Sequence, residues 1–206
     1  MELPIERIRP ALMSYYVAGR ATPYWVGTGR MDQFLARLNG ALYDGLNTQD
    51  YPIDTLMQMR DEANSGDPAA AARAELYYSA FFVAYASDLR AGRVTPQKVD
   101  PNQFRNPKVV DPAQALATMG KSPNPSRALS AFEPRNPHYV ALKQMLKVYS
   151  DAINSGLNWP VIGAGPSVGP GGNDARMPAL RQLLSLTGDY EGAASSSPQF
   201  RCPRSS

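Results

Sequence analysis

Cysteine and histidine are almost missing from this chain of 206 residues. A single cysteine, Cys202, excludes an internal disulfide and any cysteine-rich metal site. A single histidine, His138, excludes a histidine-built zinc centre. Long apolar runs are lacking too, and none reaches the roughly 18 residues that a membrane-spanning helix needs. Neither sign of charge dominates: 21 basic residues face 18 acidic ones, leaving +3. Without a Lys/Arg block or a stripe of aromatics among bases, that balance argues against a nucleic-acid partner. The opening MELPIERIRPALMSYYVAGR lacks a basic segment followed by an apolar one, so no export signal is read in it. The length suits one compact domain with a small appendage.

The stretch from Asp67 to Pro101 is the one around which the rest is arranged. Asp67 suits a helix N-cap and Pro68 the first helical position, where a missing N–H costs nothing. Gly92 stands where a left-handed stop belongs. The helix between them is about 23–24 residues, or about 35 Å at 1.5 Å per residue. From Leu76 to Leu89 all but Ser79, Ser87 and Asp88 are apolar or aromatic, and they fall on every face. Such a helix is buried on most sides. Tyr77, Tyr78, Phe81, Phe82 and Tyr85 each contribute about 1.5–3 kcal/mol on burial, so this rod is the expected core.

Around it the spacing predicts an all-α fold. Ile5, Ile8, Leu12, Tyr15 and Tyr16 mark a first helix up to Val17, with Pro10 able to shift its start. Thr22–Val26 reads as a short extended piece whose aromatics pack on the core. Phe34, Leu35, Leu38, Leu42 and Leu46 give a helix over Met31–Leu46, ended by Gly45 and Asn47. Ile53, Leu56, Met57 and Met59 give another over Tyr51–Asn64. Val94–Val110 has no clear period. Asp111-Pro112 repeats the capped start for a helix to Met119, and Asn124–Phe132 makes a further short one. Asn136-Pro137 opens a long helix, His138–Ser155, with Tyr139, Leu142, Met145, Leu146, Tyr149 and Ile153 on one face. Trp159–Asn173 is rich in glycine and proline and marks a boundary. Met177–Leu186 is a brief amphipathic helix closed by Gly188. Small and polar residues dominate Glu191–Ser206, which reads as a disordered tail. Residues 1–158 thus form an irregular helical domain around a buried central helix. A Gly/Pro-rich linker (159–176), a short helical segment (177–190) and the tail (191–206) follow.

Candidate chemistry is sparse. Gly163-Ala164-Gly165 follows an apolar pair, but Pro166 and Pro170 remove donors, and the next helix starts about ten residues on, so a phosphate cradle does not fit. Cys202 lies in the tail, 64 residues from the lone histidine, without the base and oxyanion donors that a nucleophilic thiol requires. His138 reads as a helix-start residue. Asp88, Arg90, Arg93 and Asp100 crowd the end of the core helix, where opposite charges pin the next loop and cations suit the dipole; a ligand site is the other reading. No paired carboxylates for acid–base work, no catalytic residue, no metal site and no cofactor are assigned.

Several phrases together resemble a known family. Arg9-Pro10-Ala11-Leu12 with Tyr15-Tyr16, Pro23-Tyr24-Trp25-Val26, Gly45-Leu46 and Asp50-Tyr51 are similar to the start of the scaffold domain of YcbB-type murein L,D-transpeptidases. So are Tyr85-Ala86-Ser87-Asp88-Leu89-Arg90-Ala91-Gly92-Arg93-Val94, Val99-Asp100-Pro101, Leu129, Pro134, Pro137-His138-Tyr139, Leu142-Lys143, Tyr149 and Trp159-Pro160. Met177–Tyr190 looks like the opening helix of that family's peptidoglycan-binding domain. The resemblance implies a periplasmic cell-wall protein, although no signal peptide is read. Its parent enzymes use a cysteine to form 3→3 cross-links between diaminopimelate residues. Cys202-Pro203-Arg204 only faintly echoes their Ser-x-Gly-Cys-x-Arg motif, so no catalytic residue carries over. The chain reads as the non-catalytic, amino-terminal portion of such an enzyme. Its partners would be peptidoglycan or a catalytic transpeptidase domain. Arg176, Arg181 and Tyr190 would be the peptidoglycan contacts, and Phe81, Phe82, Tyr85, Asp88, Arg90, Arg93 and Asp100 structural residues. A stand-alone module binding peptidoglycan or an envelope protein is the alternative.

Overall fold

A computed structural model describes residues 5–18, 22–94, 96–102, 108–156, 159–190 and 196–199, with side chains from Ile8 onward. The fold is all-α, with nine α-helices among the described residues. The chain divides into two compact units, one up to Val148 and one from Tyr149. The division falls inside the last long helix of the first unit, ahead of the linker expected at 159.

Helix α1 spans Ile5–Met13 with Pro10 inside it. The helix therefore begins ahead of the proline, which removes only the one hydrogen bond its N–H would give. It widens into a π-turn over Ser14–Ala18, and Ile8 and Leu12 face the core. Helix α2, Arg30–Asn39, is shorter than the apolar spacing suggests. Gly40, a weak helix former by about 1 kcal/mol, ends it, and a tighter 3-10 turn follows over Ala41–Asp44. That change of pitch buries Ala41 and Leu46 and leaves Leu42 47% exposed, against its expected place in the core. Helix α3, Ile53–Asn64, turns Leu56 and Ala63 inward, with Met57 exposed rather than packed.

Helix α4, Pro68–Ala91, is the core helix as bounded from the sequence. Asp67 accepts hydrogen bonds from the amides of Ala69 and Ala70, and Gly92 leaves the helix at φ 74°. Tyr78, Phe81, Phe82, Val83, Tyr85 and Leu89 are buried, while Leu76 alone of that run's large apolar residues is exposed. Trp25 stacks among them, 5.3 Å from Phe34, 5.4 Å from Tyr78 and 6.2 Å from Phe82 between ring centroids. Its loop is not extended but bent, because the amides of Tyr24, Trp25 and Val26 curl around the buried carboxylate of Glu75.

A short helix α5 (Pro96–Val99) precedes α6 (Pro112–Gly120) and α7 (Pro125–Leu129), the last two capped by Asp111 and Asn124. Gly120 lets the Tyr15 ring lie close, since a Cβ there would sit 2.1 Å from the Tyr15 hydroxyl and would push the ring aside. Helices α3, α6, α7 and α1 all pack on α4. Helix α8, Pro137–Asn154, departs most from expectation. Its apolar stripe is not buried: Leu142 is 70% exposed, Met145 and Ile153 are exposed, and Tyr139, Leu146 and Tyr149 are only half-buried. The reason is electrostatic. Lys143 is drawn to Asp44 at 2.7 Å and Glu133 at 2.8 Å, and this polar contact sets how the first part of the helix is turned.

In the second unit the Tyr149 and Trp159 rings stack at 5.6 Å. Helix α9, Met177–Thr187, ends at Gly188. Part of the tail, expected to be disordered, is held: Gln199 pairs with Asn173, and the Asp174 amide donates to the Pro198 carbonyl at 2.9 Å. Residues 191–195 and 200–206 lie outside the described residues.

Candidate functional site

The C-terminal end of α4 opens into a cleft of about 610 Å³. Its walls combine the last turn of α4 with Gly92, Arg93 and Val94, the 3-10 turn bearing Asp44, a second such turn bearing Asp50, and Pro134 and Tyr139. Two ion-pair networks meet there. In the first, Arg93 bridges Asp88 at 2.9 Å and Asp50 at 3.2 Å. The Tyr51 hydroxyl donates to the same Asp88 carboxylate at 2.8 Å. In the second, the Asp44 carboxylate, 2% exposed, is held by Arg37 at 2.8 Å and Lys143 at 2.7 Å. The Tyr85 hydroxyl donates to it at 2.7 Å, and Glu133 joins Arg37 and Lys143 at 2.6 and 2.8 Å.

The titration behaviour follows from this packing. Burial, then the hydrogen bond to Asp88, pushes the Tyr51 hydroxyl well above its ordinary value. Burial and the bond to Asp44 do the same to Tyr85. For Lys143, burial pulls the ammonium down, but the bonds to Asp44 and Glu133 outweigh it and hold it above its usual value. Arg37 and Arg93 are raised by the same balance. Each cation is thus locked in its charged form. The networks hold the side chains of the cleft wall in place.

The sequence-predicted residues separate into groups. Phe81, Phe82 and Tyr85 are core residues, with the Tyr85 hydroxyl reaching the network. Asp88, Arg90 and Arg93 all line the cleft, whereas Asp100 stands apart and accepts from the Asn102 amide at 2.9 Å. His138 is exposed in the first turn of α8, and Cys202 lies outside the described residues. Arg176 is engaged within its own unit, with Asp174 at 2.7 Å and the Pro166 carbonyl at 2.7 Å. Its bonds to Asp174 draw that carboxyl down to about 2. Arg181 donates to the carbonyls of Ser197 and Gln199 and so pins the tail, and Tyr190 is half-buried. Asp44, Glu133, Arg37 and Lys143 escaped the sequence reading; the one local signal was Asp44 directly before Gly45, a turn acid. Among the described residues no group of three or more His, Cys, Asp or Glu is placed to hold a metal, and no helix is long and apolar enough to cross a membrane.

Comparison with known proteins adds one likeness. The profile of a family described as Scaffold domain matches residues 10–146. No curated protein and no solved structure matches.

Proposed function

Given that the chain belongs to the Scaffold domain family, a domain found in L,D-transpeptidases, we propose that it is the non-catalytic platform of a YcbB-type cell-wall L,D-transpeptidase. In this reading it works in the periplasm and positions a cysteine-bearing catalytic domain outside these residues, which forms 3→3 peptidoglycan cross-links. The observation that carries the reading is a coincidence of limits. The family match, 10–146, covers nearly the same residues as the compact helical unit that ends at Val148. Arg176, Arg181 and Tyr190 remain the proposed peptidoglycan contacts of the second unit, although both guanidinium groups already hold carbonyls of their own chain.

The test is association with a separately expressed L,D-transpeptidase catalytic domain, read by isothermal titration calorimetry. Saturable binding is expected. Thiol acylation by a carbapenem should be at background for the parent chain and for Cys202→Ala alike. Acylation or cross-linking that disappears with Cys202→Ala would overturn the platform reading. Co-sedimentation with isolated sacculi but no affinity for the catalytic domain would favour the stand-alone binding module instead.

A further inference from the structure

Among the described residues of the first unit, every half-buried cation but one is neutralised by a carboxylate. Arg37 holds Asp44 and Glu133, Arg60 holds Asp32 and Asp61, and Lys143 holds Asp44 and Glu133. Arg30, the first residue of α2, is half-buried as well, yet it holds no carboxylate. Backbone carbonyls fix it instead: its Nε donates to Pro123 at 3.1 Å and an outer nitrogen to Tyr24 at 2.7 Å. Its guanidinium lies 4.2 Å over the Tyr24 ring. A guanidinium has five N–H donors, so this firmly placed charge keeps donors to spare.

The donors around it are free too. Arg30 opens into a cavity of about 470 Å³ that it shares with Tyr15, Thr22, Pro23, Ala117 and Lys121. The Tyr15 and Thr22 hydroxyls make no hydrogen bond, and Lys121 no ion pair, among the described residues. Gly120 gives the Tyr15 hydroxyl its room at this wall. No carboxylate lines the cavity among the described residues. Glu75, which takes the Tyr24 amide, is one negative charge against two cations. With the half-charge of the α6 carboxyl end counted as well, the site stays positive. Its donors approach from four directions: the π-turn, the loop before Tyr24, the start of α2 and the end of α6. They outnumber the two oxygens of a carboxylate and match the tetrahedral oxygens of a phosphate. Pro23, Ala117 and the Tyr15 ring add an apolar side, and the volume is that of a small-molecule site rather than of a bare ion. We propose that this cavity binds the phosphate group of a small organic phosphate ester. Arg30 and Lys121 meet its charge, Tyr15 and Thr22 donate to its oxygens, and the organic part lies along Pro23 and Ala117.

The test is a ¹⁵N–¹H NMR titration of the full chain with phenyl phosphate at constant ionic strength, beside inorganic phosphate and benzoate. Saturable shifts at Thr22, Tyr24, Gly120 and Lys121 are expected, with phenyl phosphate the tightest of the three. Affinity should fall at least about tenfold in Arg30→Gln, the scale of one charge-assisted hydrogen bond. About threefold is expected in Lys121→Gln, whose exposed charge is screened by solvent. Lys121 has no side-chain partner to lose, so this variant decides the matter if Arg30→Gln loosens the Tyr24 loop. Arg127→Gln, at an exposed arginine of α7 outside the cavity, should bind as the parent does. Absence of saturation with phenyl phosphate, unchanged affinity in Lys121→Gln, or an equal loss in Arg127→Gln would each overturn the proposal. Benzoate binding as tightly as phenyl phosphate would overturn the phosphate assignment, and inorganic phosphate binding as tightly would overturn the ester.

Discussion

Replacing Glu75 by alanine should be among the most damaging single changes to the first unit. Glu75 is 6% exposed on an otherwise apolar helix, and no cation pairs with it among the described residues. Its charge is held by neutral donors: the amides of Tyr24, of Trp25 at 2.9 Å and of Val26 at 3.2 Å, and the Tyr16 hydroxyl at 2.9 Å. Ser79, one turn on, takes the Trp25 indole N–H at 2.9 Å and lies 2.6 Å from the same Tyr16 hydroxyl. One carboxylate thus clasps the π-turn and the bent loop onto α4. Removing it strands two buried amides, those of Tyr24 and Trp25, at about 1–3 kcal/mol each. Relief of the carboxylate's own desolvation offsets part of that, so a net loss of about 3–4 kcal/mol is expected for Glu75→Ala. Against a total of about 5–15 kcal/mol for a domain, this leaves the unit folded but marginal. Glu75→Gln keeps one acceptor and turns an N–H2 group toward the stranded amides, so about 2 kcal/mol is expected. The assay is urea unfolding followed by Trp25 fluorescence in a Trp159→Phe background, with hydrogen exchange at residues 24–26. A loss below about 1 kcal/mol for Glu75→Ala, under the cost of even one orphaned amide, would refute the clasp.

Phe82 is fully buried against Trp25 and Phe34, and Phe82→Ala should cost about 3–5 kcal/mol in denaturant titration; a loss under about 1 kcal/mol would mean the ring is not enclosed. Tyr16, Tyr24, Tyr51, Tyr78 and Tyr85 are all raised chiefly by burial, Tyr24 to about 12. Because folding favours their neutral forms, their stabilisation is complete below about pH 10, the unfolded value, and is lost as pH climbs past it. Absorbance at 295 nm should show these five ionising only as the chain unfolds, whereas smooth titration of all eleven tyrosines near pH 10 would contradict the packing. The Asp174 carboxyl, drawn to about 2 by Arg176, should return to about 3.9 in Arg176→Gln by ¹³C NMR. Its small stabilising effect is present above the ordinary value and lost as pH falls toward 2; an unmoved midpoint would deny the ion pair.

Local chemistry determined the parts of the fold that were legible in the amino-acid order. Asp67-Pro68 and Gly92 bracket α4 because a cap, a first-turn proline and a glycine at positive φ act on their own few residues, and an all-round apolar helix can only be interior. The capped start at Asp111-Pro112 was readable for the same reason, whereas the Asn124 cap emerged only in the folded chain. The cleft was half legible: Asp88, Arg90 and Arg93 share one helix end, but Asp44 reaches it only because Gly40 breaks α2 and a tighter turn re-aims the chain. Lys143 meets Asp44, and Glu133 meets Arg37, from well over ninety residues away in the chain, so no periodicity could have paired them. That distant pairing also overrode the apolar stripe of α8, and the Glu75 clasp joins segments about fifty residues apart. Caps and patterns are settled by neighbours in the chain, while the facing of helices and the matching of buried charges are settled by neighbours in space.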